Sequence, residues 1–203
     1  GRSRSAVVEP RGDRPDLLMV TPNFPPDIGG MQTYSFELAR RFAERCRRFA
    51  VLAPRRAGAA AFDAGLSFRV IRTRALGDNL AFSGILPVSR IARREGFSVA
   101  FCPHWSTAFA ALEAPSGWPR SVLCGAHGKE LLIRPFAGFS PLQGVYDRIR
   151  RYALGHADGF VAISRYTAGL LADAGVEAAR IAVVNNGVDP DFFAPRETPA
   201  GGP

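Results

Sequence analysis

LLMVTPNFPPDIGGMQTY, residues 17–34, carries the clearest architectural signal in the chain. Its first four residues, Leu17 to Val20, form a continuous apolar run of the kind found in strands buried on both faces. A proline-rich loop follows and ends at Gly29 and Gly30, after which apolar spacing predicts a helix from Met31 to about Arg45. A buried strand, a glycine turn and a helix in this order are typical of a parallel α/β sheet.

Short strand-like runs alternate with helical stretches along the rest of the chain. Further strands are predicted at Phe49–Ala53, Phe68–Thr73, Ser98–Cys102, Ser121–Ala126, Gly159–Ile163 and Ile181–Val184. Further helices are predicted at Leu86–Glu95, Ser106–Leu112, Leu142–Ala153 and Arg165–Ala174. The alanine- and glycine-rich stretch Ala57–Gly65 is predicted to be a surface loop. This alternation predicts one Rossmann-like, three-layer α/β domain whose sheet has about seven mostly parallel strands.

The composition fits one globular domain. Of 203 residues, 47% are hydrophobic and 22% are charged, which excludes a mostly disordered chain and a coiled coil. We expect a flexible basic tail at residues 1–15, the α/β domain at 16–188 and a linker at 189–203. The N-terminal charges precede no apolar run, so no secretory signal is expected. Three cysteines in apolar surroundings indicate reduced core thiols, and we expect a cytoplasmic protein.

The chain is strongly basic, with 26 lysine and arginine residues against 18 acidic ones and a net charge of +8. Such a field favours nucleic acid, anionic lipid or phosphorylated substrates. Arginines cluster at 40–48, 90–94 and 148–151. Apolar residues accompany the second and third clusters: Leu86, Val88, Ile91, Ala92, Ile149 and Tyr152. We hypothesise that these clusters form an amphipathic surface that lies on an anionic membrane. The alternative is that they form an arginine-rich face exposed to solvent. No recognised nucleic-acid module appears, so we expect no nucleic-acid partner.

Ligands of an open α/β sheet bind beyond the carboxyl ends of its strands, so the residues after each predicted strand are candidates. The turn at Gly29 and Gly30 leaves room for a ligand, and the helix N-terminus behind it suits a phosphate or a sugar hydroxyl. A tight turn without a ligand is the alternative. The loop matches neither the dinucleotide-binding fingerprint nor a P-loop.

A second candidate group follows the predicted strand Ser121–Ala126. His127 is a candidate hydrogen-bond donor or general acid–base group, or a residue that satisfies backbone groups. Glu130 would orient a ligand or cap the next helix, and Lys129 would balance a phosphate or be solvated. Ser164, at the end of the next strand, is predicted to cap the helix that follows.

Four segments in this order resemble the N-terminal half of GT-B retaining glycosyltransferases of the family 4 type. They are the Pro-x-x-Gly-Gly loop at 26–30, His-Gly-x-Glu at 127–130, the Asp-to-Ser strand at 158–164 and the Asn-Gly-Val-Asp segment at 186–195. The variant Gly-Gly-Met-Gln-x-Tyr, at 29–34, resembles bacterial mannosyltransferases that act on phosphatidylinositol-type lipids.

The resemblance implies transfer of a sugar from a nucleotide-sugar donor to a lipid or saccharide acceptor, with retention and without a metal or other cofactor. His127 would be catalytic, stabilising charge at the reacting centre by electrostatic placement. Donor or acceptor contacts are expected from Gly29, Gly30, Met31, Gln32, Tyr34, His104, Lys129, Glu130, Ser164, Arg165 and Asn186. A non-catalytic sugar- or nucleotide-binding α/β domain is the first alternative, and a basic nucleic-acid-binding protein is the second.

The chain departs from the family pattern in one large respect. The family's C-terminal domain holds most of the donor nucleotide site and carries a Glu-x7-Glu motif, yet no two glutamates here stand eight apart. We therefore expect an acceptor-side half whose partner is its own C-terminal domain and which is inactive alone. An anionic membrane surface, on the inner face of the plasma membrane, is a further expected partner.

Overall fold

A seven-stranded parallel sheet organises the part of the chain that the structure describes. This computed structural model describes residues 14–74, 81–114, 121–138 and 140–188. The sheet has the order β3-β2-β1-β4-β5-β6-β7, and all six neighbouring pairs within it are parallel. The strands are β1 Asp16–Val20, β2 Arg48–Pro54, β3 Arg69–Thr73, β4 Val99–Cys102, β5 Ser121–Ala126, β6 Gly159–Ala162 and β7 Ile181–Val183. The predicted fold class and strand positions are confirmed.

Seven α-helices connect these strands in the described ranges. They are α1 Gly30–Arg45, α2 Ala59–Ala64, α3 Ile85–Glu95, α4 Trp105–Leu112, α5 Lys129–Leu132, α6 Ser140–His156 and α7 Arg165–Asp173. Short 3-10 turns lie at Ala81–Gly84 and Ala178–Arg180. The linker expected at 189–203 and most of the tail expected at 1–15 lie outside the described residues.

The predicted loop at Ala57–Gly65 is wrong, because this stretch contains α2. Gly58 takes a left-handed conformation (φ 74°) and starts the helix, and alanine is the residue that favours helix most. Ala59 is buried, and the Phe62 ring lies 5.6 Å from the Phe36 ring in an edge-to-face contact. Packing of a partly buried aromatic side chain against the core therefore fixes a segment whose composition suggests a loop.

Side chains from β1 alternate between two hydrophobic cores. Leu18 and Val20 face the core that α3, α4, α6 and α7 cover, whereas Leu17 and Met19 face the core that α1 and α2 cover. This alternation makes three layers and explains the continuous apolar run of β1, since both faces of the strand are buried. None of the helices in the described ranges combines the length and apolar character that a membrane crossing requires.

The topology creates a crevice beside β1. Strand β1 pairs with β2 on one side and with β4 on the other. The connection from β1 to β2 and the connection from β3 to β4 therefore lead to opposite sides of β1. Ligands of doubly wound sheets bind at such a reversal, beyond the carboxyl ends of the strands. The segments that reach this edge are those after β1, β4 and β5.

Candidate functional site

The loop after β1 is fixed to α1 by buried hydroxyl groups. The Thr21 hydroxyl donates to the Asn23 carbonyl oxygen (3.0 Å) and accepts from the Asn23 N–H (3.2 Å). It also lies 3.2 Å from the Ser35 hydroxyl, and both side chains are buried. These contacts set the direction in which the chain leaves the sheet towards the glycine turn.

Arg72, on β3, holds the same loop from its other side. Its guanidinium donates to the carbonyl oxygens of Pro25 (2.6 Å) and Pro54 (3.0 Å). It also makes two bonds to the Asp63 carboxylate, at 2.7 and 2.9 Å, and lies 5.5 Å from the centre of the Phe24 ring. Only 9% of its side chain is exposed. Arg72 is therefore a positioning residue that joins β2, β3, α2 and the loop.

The two predicted glycines play different parts at the start of α1. A Cβ atom at Gly30 would meet nothing within 4 Å, whereas one at Gly29 would collide with the Gln32 amide. Within the described chain, no side chain caps this helix and its first turn holds no acidic residue. The N–H groups of the first turn and the positive end of the helix dipole are thus left to an anion or a hydroxyl.

His127 lies beneath Tyr34 at the carboxyl end of β5. The two rings meet edge to face, with their centroids 4.4 Å apart and their planes at 88°. The His127 Nε2 atom is buried and has no hydrogen-bond partner among the described residues. Burial lowers the pKa of His127, against an opposing effect of the Glu130 charge and of a hydrogen bond to the Pro103 carbonyl. The imidazole is therefore neutral near pH 7.

Tyr34 and the two buried strand cysteines retain their protons as well. Burial, with a smaller effect of Cys124, raises the pKa of Tyr34 to about 12. Burial also raises the pKa of Cys102 to about 12 and that of Cys124 well above its usual value. All three cysteines are buried free thiols, as predicted. The site thus offers neutral hydrogen-bonding groups and no activated thiolate.

Glu130 fixes the turn on which His127 sits. Its Oε1 atom accepts hydrogen bonds from the backbone N–H groups of His127 (2.6 Å) and Gly128 (3.3 Å), and the side chain is buried. Gly128 has a φ of 97°, a conformation that favours glycine. Glu130, in the first turn of α5, thus holds the backbone that precedes this helix, and the neighbouring Lys129 is exposed.

His104 brings a second imidazole to this edge, at the end of β4. It is the N-cap of α4, where its Nδ1 atom accepts from the Ser106 N–H (3.1 Å) and lies 2.8 Å from the Ser106 hydroxyl. Burial lowers the pKa of His104 to about 4; the Glu130 charge opposes this shift and His127 adds to it. Because Nδ1 accepts a backbone bond, the proton of the neutral ring resides on Nε2.

The remaining predicted residues gather at a separate place, between the ends of β6 and β7. Ser164, Arg165, Val183 and Asn185 line an open cleft of about 590 Å³. The Ser164 hydroxyl accepts from the Thr167 N–H (3.1 Å) and so caps α7, as predicted. Arg165 is exposed and forms no ion pair with any described residue, and the exposed Asn186 follows the lining residue Asn185.

Residues 28–192 match the family profile described as Glycosyltransferase Family 4, which covers most of the chain. The chain belongs to glycosyltransferase family 4. The glycine turn, His127 and the β6–β7 cleft all lie within the matched residues of this family 4 chain.

Known proteins similar to the family 4 chain include a curated enzyme and several solved structures. It is 31% identical over 184 residues to a GDP-mannose-dependent alpha-(1-6)-phosphatidylinositol monomannoside mannosyltransferase of Mycobacterium tuberculosis, covering 88% of this chain and 46% of the relative. The sucrose-phosphate synthase of Thermosynechococcus elongatus has a TM-score of 0.67 at 13% identity, over 89% of this chain and 50% of that one. HepE of Anabaena, in complex with UDP, has a TM-score of 0.60 at 16% identity, over 88% and 46%.

The family 4 chain spans about half the length of the curated relatives that it matches. The solved structures, all below 25% identity, share its fold. Family membership establishes a domain of a sugar-transferring enzyme class.

Sequence reasoning predicts four candidate residues that the structure of this family 4 chain places together at one edge of the sheet, and it misses Arg72. Tyr34, His104, His127 and Glu130 all follow strand ends or begin the first helix, which is where the topology predicts ligands. Arg72 lies inside a strand of a chain with 26 basic residues, so nothing in the sequence distinguishes it. Only the structure, through the burial of Arg72 and its four contact partners, identifies it as a positioning residue.

Proposed function

We propose that this domain forms the acceptor side of a retaining glycosyltransferase that moves a sugar from a nucleotide-sugar donor to a lipid or saccharide acceptor. The observation that carries the proposal is the grouping of Tyr34, His104 and His127 at the carboxyl edge of the sheet. This edge lies beside the β1 reversal and the open position at Gly30. A C-terminal domain would hold most of the donor nucleotide.

The proposed role of His127 rests on its neutral ring and its unsatisfied Nε2 atom. A buried nitrogen without a partner costs about 1–3 kcal/mol, which a sugar hydroxyl that displaced Tyr34 would offset. Backbone N–H groups that donate to the Glu130 carboxylate hold the turn, so the imidazole reaches the reacting sugar already oriented. We propose that it stabilises developing charge by placement and does not act as a nucleophile.

The glycine turn is proposed to receive the charged or hydroxylated end of a substrate. The uncapped first turn of α1 presents N–H groups beside the open Gly30 position, and the helix dipole favours a phosphate there. Met31 and Gln32 belong to the same turn. Ser164, Arg165 and Asn186 would form a second contact at the β6–β7 cleft, where the unpaired Arg165 guanidinium suits a phosphate.

The names of similar proteins suggest the substrates to try first. The mycobacterial relative is a GDP-mannose-dependent enzyme that acts on a phosphatidylinositol monomannoside, and HepE is solved in complex with UDP and with UDP-glucose. We propose a sugar nucleotide as donor and a glycolipid as acceptor. The proposal also includes a cytoplasmic protein at an anionic membrane surface, without a metal, another cofactor or nucleic acid.

Nucleotide release tests the proposal. The polypeptide extended through a C-terminal domain would be incubated with GDP-mannose, UDP-glucose, UDP-N-acetylglucosamine and ADP-glucose, with and without a membrane-lipid extract. We expect release from one donor, stimulated by lipid, and none from the 203-residue chain alone. Absence of release from every donor, with binding of one of them intact, would instead favour a non-catalytic binding domain.

A further inference from the structure

Three of the apolar residues that the sequence assigns to a membrane surface pack in or against the core. On α3, Val88 and Ile91 are buried and pack with the helices of the larger core. Ile149 is partly buried against the same core, and Arg150 turns inward to the Leu131 carbonyl oxygen (2.9 Å). Val88, Ile91 and Ile149 are therefore taken up wholly or partly by the core, whereas Leu86 and Tyr152 of the same clusters are 58% and 37% exposed.

A different stretch presents large apolar side chains to solvent. Five of them lie between residues 132 and 145 and are 38–58% exposed: Leu132, Ile133, Phe136, Leu142 and Val145. We call these five residues the α5–α6 surface. Large apolar side chains gathered on one exposed patch mark an interaction site more often than single ones do.

The backbone beneath the α5–α6 surface is anchored. The Phe136 N–H donates to the Oε1 atom of the buried Gln143 (3.0 Å), and the Phe136 ring lies 6.0 Å from the Tyr146 ring, edge to face. Arg150 ties the Leu131 carbonyl to α6, as described above. The apolar side chains are thus held outward by a fixed support.

The exposed charges around this surface are basic, and none of them is paired with a carboxylate in the described part of the chain. Arg134, Arg148 and Arg151 are exposed and form no ion pair among the described residues. Three acids lie nearby and each is already engaged: Glu130 accepts backbone hydrogen bonds, Asp147 pairs with Arg150 at 2.9 Å, and Glu113 hydrogen-bonds with Tyr152. Exposed apolar groups among unpaired arginines are complementary to the interface of an anionic bilayer.

We infer that the α5–α6 surface is where this protein docks on anionic lipid, a partner included in the proposed function. The surface begins two residues after Glu130, which fixes the His127 turn, so docking there would hold a lipid-linked acceptor next to the candidate site. The exposed arginines of α3 would add only nonspecific electrostatic attraction between the protein and the anionic bilayer.

Vesicle cosedimentation of the 203-residue chain tests this inference. Phosphatidylcholine vesicles containing phosphatidylglycerol would be compared with phosphatidylcholine alone, for the parent, L132S/F136S and R148E/R151E. The matched control is R93E/R94E on α3, which changes the net charge by the same amount. We expect binding to the anionic vesicles only, weakened about tenfold or more by each surface pair and at most about threefold by the control.

Several outcomes would overturn the inference. One is an equal loss of vesicle binding in R93E/R94E and R148E/R151E. A second is binding by L132S/F136S or by R148E/R151E that is as strong as that of the parent. A third is binding to neutral vesicles that equals binding to anionic ones. If circular dichroism shows that L132S/F136S does not fold, the result for R148E/R151E alone tests the inference. Failure of a polypeptide extended through a C-terminal domain to bind would also overturn it, because the surface would then be an interdomain face. No donor enters this assay, so its result is independent of whether sugar transfer is observed.

Discussion

Replacement of Arg72 by alanine should destabilise the domain far more than replacement of any surface arginine. The change removes both bonds to Asp63 and the donors to the Pro25 and Pro54 carbonyl oxygens. Because Arg72 is 9% exposed and Asp63 19% exposed, water re-enters only in part to replace the lost partners.

The magnitude follows from the burial of the pair. Removing one partner of a buried ion pair costs about 3–5 kcal/mol, and Asp63 retains enough exposure to place the loss near the lower end, about 3 kcal/mol. For a domain of this size, such a loss lowers the melting temperature by roughly 6–12 °C. Arg69 on the same strand is the matched control, because it pairs with Glu95 at 2.8 Å but is 60% exposed. Its replacement by alanine should cost about 0–1 kcal/mol.

Urea denaturation of the parent, Arg72→Ala, Arg69→Ala and Asp63→Asn measures these free energies of unfolding. A double-mutant cycle between Arg72→Met and Asp63→Asn then isolates the pair, and the double variant should recover part of the loss because no unpaired charge remains buried. A cost for Arg72→Ala equal to that for Arg69→Ala would refute the role given to Arg72.

Three further predictions concern the turns around the site. Gly128→Ala should lower the free energy of unfolding by about 1–2 kcal/mol, because φ is 97°, whereas Gly144→Ala inside α6 should raise it by about 0.5–1 kcal/mol; thermal denaturation compares the two. Ser164→Ala should cost about 1 kcal/mol through loss of the α7 cap, while Ser164→Asp should retain most of the stability, and equal melting temperatures for all three proteins would contradict this. The native pKa of His104, about 4, lies below its usual value, so the unfolded state takes up the proton first as the pH falls. Stability should therefore decline between about pH 6.5 and pH 4, and His104→Asn, which can still cap α4, should flatten that decline in urea titrations at several pH values.

The inner strands β1, β2 and β4 were predictable because each contains a short apolar run that the layers on both sides bury. The helix α2 was not, since the alanine and glycine content of 57–65 does not reveal that Phe62 packs edge to face against Phe36. On α3, Val88 and Ile91 of the amphipathic pattern are buried, whereas Leu86 is 58% exposed. A periodic apolar face shows only that one side of a helix is buried, and here the sheet and neighbouring helices bury it.

The candidate site was predictable as far as the topology defines it. Strand ends predict where Tyr34, His104 and His127 meet, because the carboxyl ends of parallel strands share one edge. The edge-to-face contact of Tyr34 with His127, the low pKa of His104 and the bonds of Arg72 depend on distances between segments far apart in sequence. Those could come only from the three-dimensional structure.

The most direct test compares kcat/KM for sugar transfer in the polypeptide extended through a C-terminal domain, for the parent, His127→Ala and His156→Ala. His156 is an exposed imidazole stacked on Tyr152 with ring centroids 4.1 Å apart, so it controls for the loss of a histidine as such. We predict a fall of about 10²-fold or more for His127→Ala and at most about twofold for His156→Ala, with both variants folded. Equal kcat/KM in the parent and His127→Ala would contradict the placement of sugar transfer at this edge of the sheet.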